Sequence, residues 1–175
     1  MSTAIGTEAP TFTLPDTDGA EHGVGGNELA PATLVVFTCN HCPYALAWHD
    51  RIVAVAEDFP DVKVLAVSSN DAERYPRDSF EAMKERVRRD EGWPMPYMHD
   101  VTQEVARAYG AKTTPDCFVI DSDGRVAYRG APDADHQDPS LNAAWLRDAL
   151  DAVLAGEEPA QAETKPVGCS IKWKQ

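Results

Sequence analysis

The chain of 175 residues is poor in positive charge, poor in cysteine and free of long apolar runs, and each shortage removes a class of function. Sixteen lysines and arginines stand against 29 aspartates and glutamates, a formal charge of −13, and only six of the sixteen are lysine. A field of that sign repels phosphate backbones and anionic lipid, so neither nucleic acid nor a membrane surface is an expected partner. No segment approaches the roughly 18 consecutive apolar residues of a membrane span. The opening MSTAIGTEAPTFTLPDTDG has neither the basic start nor the apolar core of a secretory signal, so a cytoplasmic location is expected. Four cysteines, at 39, 42, 117 and 169, are too few and too unevenly spread for the disulfide framework of a small secreted domain. No phosphate-binding glycine loop and no Ser-His-Asp set stands out.

With 43% hydrophobic residues the chain can bury one good core, and it is short for two domains with a linker. A single domain over residues 1–175 is expected, with 157–175 as a C-terminal tail. The alternation in APTFTLPDTDG predicts a short strand and a turn, followed by a polar, glycine-rich loop over 19–27. ATLVVFT (32–38) and VKVLAVSS (62–69) are unbroken apolar runs of the kind found in strands buried on both faces. Between them, a proline at 43 and apolar residues at 46, 52, 53, 55 and 56 predict a helix to about residue 59. SFEAMKERVRR (79–89) predicts an amphipathic helix, completing a parallel βαβ unit.

In DVTQEVARAYG, Asp100 is the expected helix cap with Gln103 three residues on, and Gly110 the stop. DCFVID, SDG and RVAYRG predict a hairpin. LNAAWLRDALDAVLAG predicts a last helix with Leu141, Ala144, Trp145, Leu150 and Leu154 on or near one face. EEPAQAETKPVG has a disorder-prone composition, whereas CSIKWK after it does not.

The chemistry concentrates in FTCNHCPY. Cys39 and Cys42 stand three apart where a buried strand meets a helix N-terminus, a place whose unpaired amides and dipole favour a thiolate. That spacing lets one sulfur attack a disulfide and the other resolve it. His41, between them, is a candidate to lower the Cys39 pKa. A redox pair is the leading reading, ahead of a structural metal half-site and an inert pair. Zinc lacks a second close cysteine pair, and His22, His49, His99 and His136 stand alone, so no metal site is assigned. Copper held by the two thiolates and a distant His99 stays open.

These segments, together with YGAKTTPDCFVID and GCSIKWK, resemble the thioredoxin-like redoxins, and among them a peroxiredoxin-like, AhpC/TSA-related subgroup with a C-x-x-C. The resemblance spans nearly the whole chain. It implies an α/β, thioredoxin-like fold: a central mixed sheet flanked by helices, with an N-terminal redoxin extension. It also implies a cis proline facing the cysteines, which Thr114-Pro115 matches, with neighbouring backbone forming a substrate groove. Peroxiredoxins place a threonine three residues before their reactive cysteine and an arginine on a later strand. With Cys42-Pro43 aligned to that motif, Cys39 takes the threonine's place and Pro115 the arginine's, so two parts that activate peroxide are missing.

The expectation is therefore a thiol-disulfide oxidoreductase with Cys39 as nucleophile, Cys42 as resolving thiol, His41 tuning the pair and no bound cofactor. Its partners would be protein or small-molecule disulfides and thiols, with a thioredoxin or low-molecular-weight thiol as electron donor. A thiol peroxidase using Cys42 is the first alternative, and a redox-sensing or metal-binding module the second. Cys169 reads either as a resolving thiol or as a residue buried beside Ile171 and Trp173, and Cys117 as a small core residue. Arg86, Arg88, Arg89 and Asp90 read as a solvated helix end. Exposed edges and the tail permit a homodimer without predicting one.

Overall fold

The computed structural model describes residues 3–26 and 30–175. The chain begins with an antiparallel ribbon, β1 (Phe12–Pro15) and β2 (Glu21–Val24), so part of the expected loop is a strand. Residue 27 of that loop lies outside the described residues. β3 (Ala32–Thr38) and β4 (Val62–Ser68) run parallel, joined by α1 (Pro43–Asp58). Next come α2 (Phe80–Arg89), the short β5 (Tyr97–His99) and α3 (Glu104–Tyr109). β6 (Thr113–Thr114) leads into the hairpin of β7 (Asp116–Asp121) and β8 (Val126–Gly130). α4 (Ala144–Leu154) and a two-residue strand, β9 (Cys169–Ser170), complete the order.

The main sheet is mixed and five-stranded, in the order β5-β4-β3-β7-β8. β3 lies in its middle, parallel to β4 and antiparallel to β7, and every one of its residues is buried. That accounts for its unbroken apolar run: Leu34 and Val36 enter the core on one face, Val35 and Phe37 the core on the other. The first core takes Trp48, Ile52 and Val55 from α1, Met83 from α2, and Leu146, Ala149, Leu150 and Val153 from α4. The second is closed by Val105, Ala106 and Tyr109 of α3, with Phe12, Leu14 and Val24 of the N-terminal ribbon against it.

Three local expectations change. α4 starts later than its sequence pattern suggests, because Asn142 and Ala143 adopt left-handed conformations (φ 55 and 53). Its buried stripe is therefore Leu146, Ala149, Leu150 and Val153, while Leu154 is exposed. Asp100 does serve α3, accepting the Val105 and Ala106 amides at 3.3 and 3.0 Å. Gln103 does not fold back onto that cap. Itself left-handed, it donates to the carbonyls of Ser69 and Lys172 and accepts the Lys174 amide. Finally, the tail segment of disorder-prone composition lies along β8: Arg129 donates to the Ala162 carbonyl and accepts from the Thr164 amide, both at 3.0 Å. Thr164 is buried there, its hydroxyl accepting the Ala131 amide.

One buried acid fixes how α1 meets α4. Asp133 accepts from Trp48 Nε1 at 2.9 Å, from Arg51 Nη1 at 3.0 and 2.9 Å, and from the Ala143 amide at 2.8 Å. Removing one partner of such a pair strands the other charge in the core. Asp133→Ala is expected to lower stability in urea denaturation by about 3–5 kcal/mol.

Candidate functional site

Cys39 follows the last residue of β3, and Cys42 is the N-cap of α1, in an extended conformation with Pro43 starting the helix. All four cysteines are free thiols, and both members of the pair have 0% exposure. The Cys42 amide donates to Cys39 Sγ at 3.3 Å. Facing them is Thr114, whose hydroxyl lies 3.4 Å from Cys39 Sγ and whose carbonyl accepts from the protonated Cys42 Sγ at 3.1 Å. The Thr114-Pro115 peptide is cis. Cys39, Cys42 and Thr114, with Pro115 next to it, are thus brought together.

His41 stays close to the pair. Its Nδ1 lies 2.5 Å from Asp78 Oδ2, its ring stacks on Tyr75, and a ring nitrogen comes within 4.8 Å of Cys39 Sγ. Asp78, which no sequence pattern singles out, thus joins Cys39 and His41. Asp78 is fully buried and also accepts the Asn40 amide at 2.7 Å and Asn70 Nδ2 at 2.9 Å. Arg86 is not part of a solvated helix end: it is buried, donates to the Cys39 carbonyl at 3.0 Å and to Asn40 Oδ1 at 3.2 Å, and sits over the Trp93 ring. Its spacing of three from buried Met83 was the available signal, since residues three apart share a helix face. Tyr97 completes the support with a 2.8 Å hydrogen bond to Asn40 Oδ1.

The hydrogen bonds divide the pair unequally. Cys39 Sγ accepts from the Cys42 amide and lies against the Thr114 hydroxyl, whereas Cys42 Sγ donates to the Thr114 carbonyl and so carries a proton. This geometry favours a single negative charge on Cys39, with Cys42 as the thiol.

Among the described residues, Cys39, His41 and Asp78 offer three potential metal-ligand atoms within 4.8 Å of one another, and His99 is not in the group. Asp78 spends both oxygens on Asn40, Asn70 and His41, and the Arg86 guanidinium adjoins the cluster, so the donor set suits a hydrogen-bonded support better than a cation. Cys117 is fully buried, its thiol pushed well up by burial, as a core residue should be. Cys169 is half-buried at the edge of the small cluster formed by Cys39, Cys42 and Ala45. Ile171 is buried in the second core, so the tail packs down and brings Cys169 to the pair at once.

A strand end bearing this pair, facing a cis proline on a mixed sheet with an added N-terminal ribbon, defines a thioredoxin-like protein. More narrowly, the chain belongs to the AhpC/TSA family, whose profile matches residues 5–129. A solved structure of an uncharacterized conserved protein from Geobacillus kaustophilus is 39% identical, covers 98% of this chain and 93% of its own, and superposes with a TM-score of 0.90. A hypothetical protein from Sinorhizobium meliloti is 34% identical over 99% of this chain and 97% of its own, also at 0.90. The thiol-disulfide oxidoreductase ResA of Geobacillus thermodenitrificans is 27% identical over 125 residues, 70% of this chain and 67% of ResA. This chain is a thiol-disulfide oxidoreductase that works through a cysteine pair.

The same comparisons correct the cytoplasmic expectation. One solved structure they bring up, from Streptococcus pneumoniae, is described as an exposed lipoprotein thioredoxin (18% identity, 77% of this chain, 98% of its own, TM-score 0.61). A redox pair on this fold therefore carries no cytoplasmic address. Among the described residues, no helix is long and apolar enough to cross a membrane.

Asp116, directly after Pro115, is fully buried; Oδ2 accepts the Lys112 amide, Oδ1 has no partner, and burial pushes the carboxyl up to about 6. A carboxyl raised by folding stabilises the fold while protonated. That contribution is complete below its ordinary value of 3.8 and is lost as the pH rises through about 6. Between about pH 4 and about pH 7 the wild type should therefore lose stability relative to Asp116→Asn, by about 3 kcal/mol. Urea denaturation of both proteins across that window checks it.

Proposed function

We propose that the pair exchanges disulfides with thiol-bearing substrates, Cys39 being the thiolate that attacks and Cys42 the thiol that closes the ring. Cys39 attacks one sulfur of a substrate disulfide, expelling the first substrate thiolate and leaving a mixed disulfide. Cys42 then attacks Cys39 Sγ, expels the second thiolate and forms the Cys39–Cys42 disulfide; the pair has given up two electrons and its two protons go to the products. The reverse sequence oxidises a dithiol. The observation that supports this assignment is the hydrogen-bond pattern: Cys39 Sγ accepts from the Cys42 amide, whereas Cys42 Sγ donates to the Thr114 carbonyl. His41 acts on the pair through Asp78, Thr114 and Pro115 frame the groove, and a thioredoxin or low-molecular-weight thiol restores the dithiol.

Peroxide reduction is the weaker reading. Cys39 and Pro115 stand where the resemblance expects a threonine and an arginine, and the Arg86 guanidinium meets the Cys39 carbonyl rather than a sulfur. Donors aimed at the developing charge are worth about two to three orders of magnitude in rate each.

The test uses a Cys169→Ser background and an aromatic disulfide. Cys42→Ser should accumulate a stable mixed disulfide on Cys39, and Cys39→Ser should accumulate almost none. Efficient capture on Cys42 in the second variant would show the roles to be the reverse.

A further inference from the structure

The cysteine pair is sealed, and the seal carries a thiol. Both sulfurs lie in residues with 0% exposure, whereas Cys169 is half-buried and packs against the cluster of Cys39, Cys42 and Ala45. Cys169 arrives there as part of a strand: β9 pairs antiparallel with β6, in the register Thr114 to Cys169 and Thr113 to Ser170. Thr114 is the residue that faces both pair sulfurs, so the tail occupies the backbone edge a substrate strand would use.

The tail is built to lie there. A Cβ on Gly168 would fall 2.2 Å from the Thr114 carbonyl oxygen, so a residue with no side chain lets the backbone approach. Beyond Cys169 the Ile171 amide donates to the Lys112 carbonyl at 3.0 Å. The Lys172 amide donates to Asn70 Oδ1 at 2.9 Å, and its carbonyl accepts from Gln103 and from the Asp71 amide. Trp173 lies under the Arg107 guanidinium.

We propose that Cys169 is the exchanging thiol of this enzyme, passing oxidising equivalents between small external thiols and the sealed Cys39/Cys42 pair by way of a Cys42–Cys169 disulfide. The proposal rests on the pair being the redox centre. In the oxidised enzyme the Cys169 thiolate attacks Cys42 Sγ of the Cys39–Cys42 disulfide; the Cys42–Cys169 bond forms, Cys39 leaves as a thiolate and takes up the proton Cys169 lost. No oxidant is consumed. An external thiolate next attacks the more accessible sulfur, Cys169 Sγ, and expels Cys42 as a thiolate that takes up a proton. A second external thiolate attacks the external sulfur of that mixed disulfide and expels Cys169. Two external thiols become one disulfide, two protons are released to the protein, and the pair ends as a dithiol. The strand itself supplies no electrons. It holds the exchanging sulfur against the buried one.

The experiment measures the rate at which the oxidised protein is reduced by a low-molecular-weight thiol such as cysteamine. Cys169→Ser, which keeps the strand and removes the sulfur, should slow this about tenfold or more. Gly168→Val combined with Cys169→Ser, which lifts the strand off Thr114, should recover much of the rate by exposing the pair. Peptide mapping of oxidised Cys39→Ser should find the Cys42–Cys169 link. A Cys169→Ser rate equal to wild type, or Cys42 and Cys169 unlinked in oxidised Cys39→Ser, overturns the relay. Neither result touches the pair itself, which fails only if Cys42→Ser continues to turn over.

Discussion

One residue, Thr114, holds three sulfurs in relation to one another. Its hydroxyl faces Cys39, its carbonyl faces Cys42, and its backbone pairs with Cys169. It can do all three because it sits in a two-residue strand between α3 and the cis proline, with its side chain toward the pair and its peptide edge toward the tail. The cysteines themselves are fixed from the other direction. β3, buried on both faces, ends at Cys39, and α1 starts one turn later, so neither sulfur can shift without disturbing the central strand or the first turn of the helix.

Hydrogen bonding decides where the charge rests. The Cys42 amide, at the start of α1, and the Thr114 hydroxyl meet Cys39 Sγ, while the Thr114 carbonyl keeps a proton on Cys42. Around them Asp78 is tied by Asn40, Asn70 and His41, and Arg86 holds the Cys39 carbonyl rather than its sulfur. A thiolate that is easily formed is also easily expelled, so the donors that favour charge on Cys39 would serve it both as nucleophile and as leaving group in the reverse exchange.

What could be read from the sequence was what local pattern dictates. β3, β4 and α1 were legible because a double-faced apolar run and a proline-started helix need no distant partner to be recognised, and the cysteine pair falls at their junction. The cis proline and the N-terminal extension came from the family resemblance. α4 was misaligned because two left-handed residues, Asn142 and Ala143, delay its start, and nothing in their side chains signals that conformation. Arg86 looked solvated because a charged helix end usually is; only the Cys39 carbonyl and the Trp93 ring, distant in sequence, explain its burial. Asp78 stands in an ordinary polar stretch, and the tail segment 157–168 is held by β8 rather than by any pattern of its own.

The central claim is that the charge of the reduced pair resides on Cys39, where the Cys42 amide and the Thr114 hydroxyl meet the sulfur, and that Cys42 keeps its proton against the Thr114 carbonyl. Site-resolved carbon NMR of the cysteine β-carbons, followed with pH in the reduced protein, tests it most directly. The Cys39 resonance should titrate first, with Cys42 following only at higher pH. If Cys42 titrates first and Cys39 remains a thiol, the account of this site is wrong.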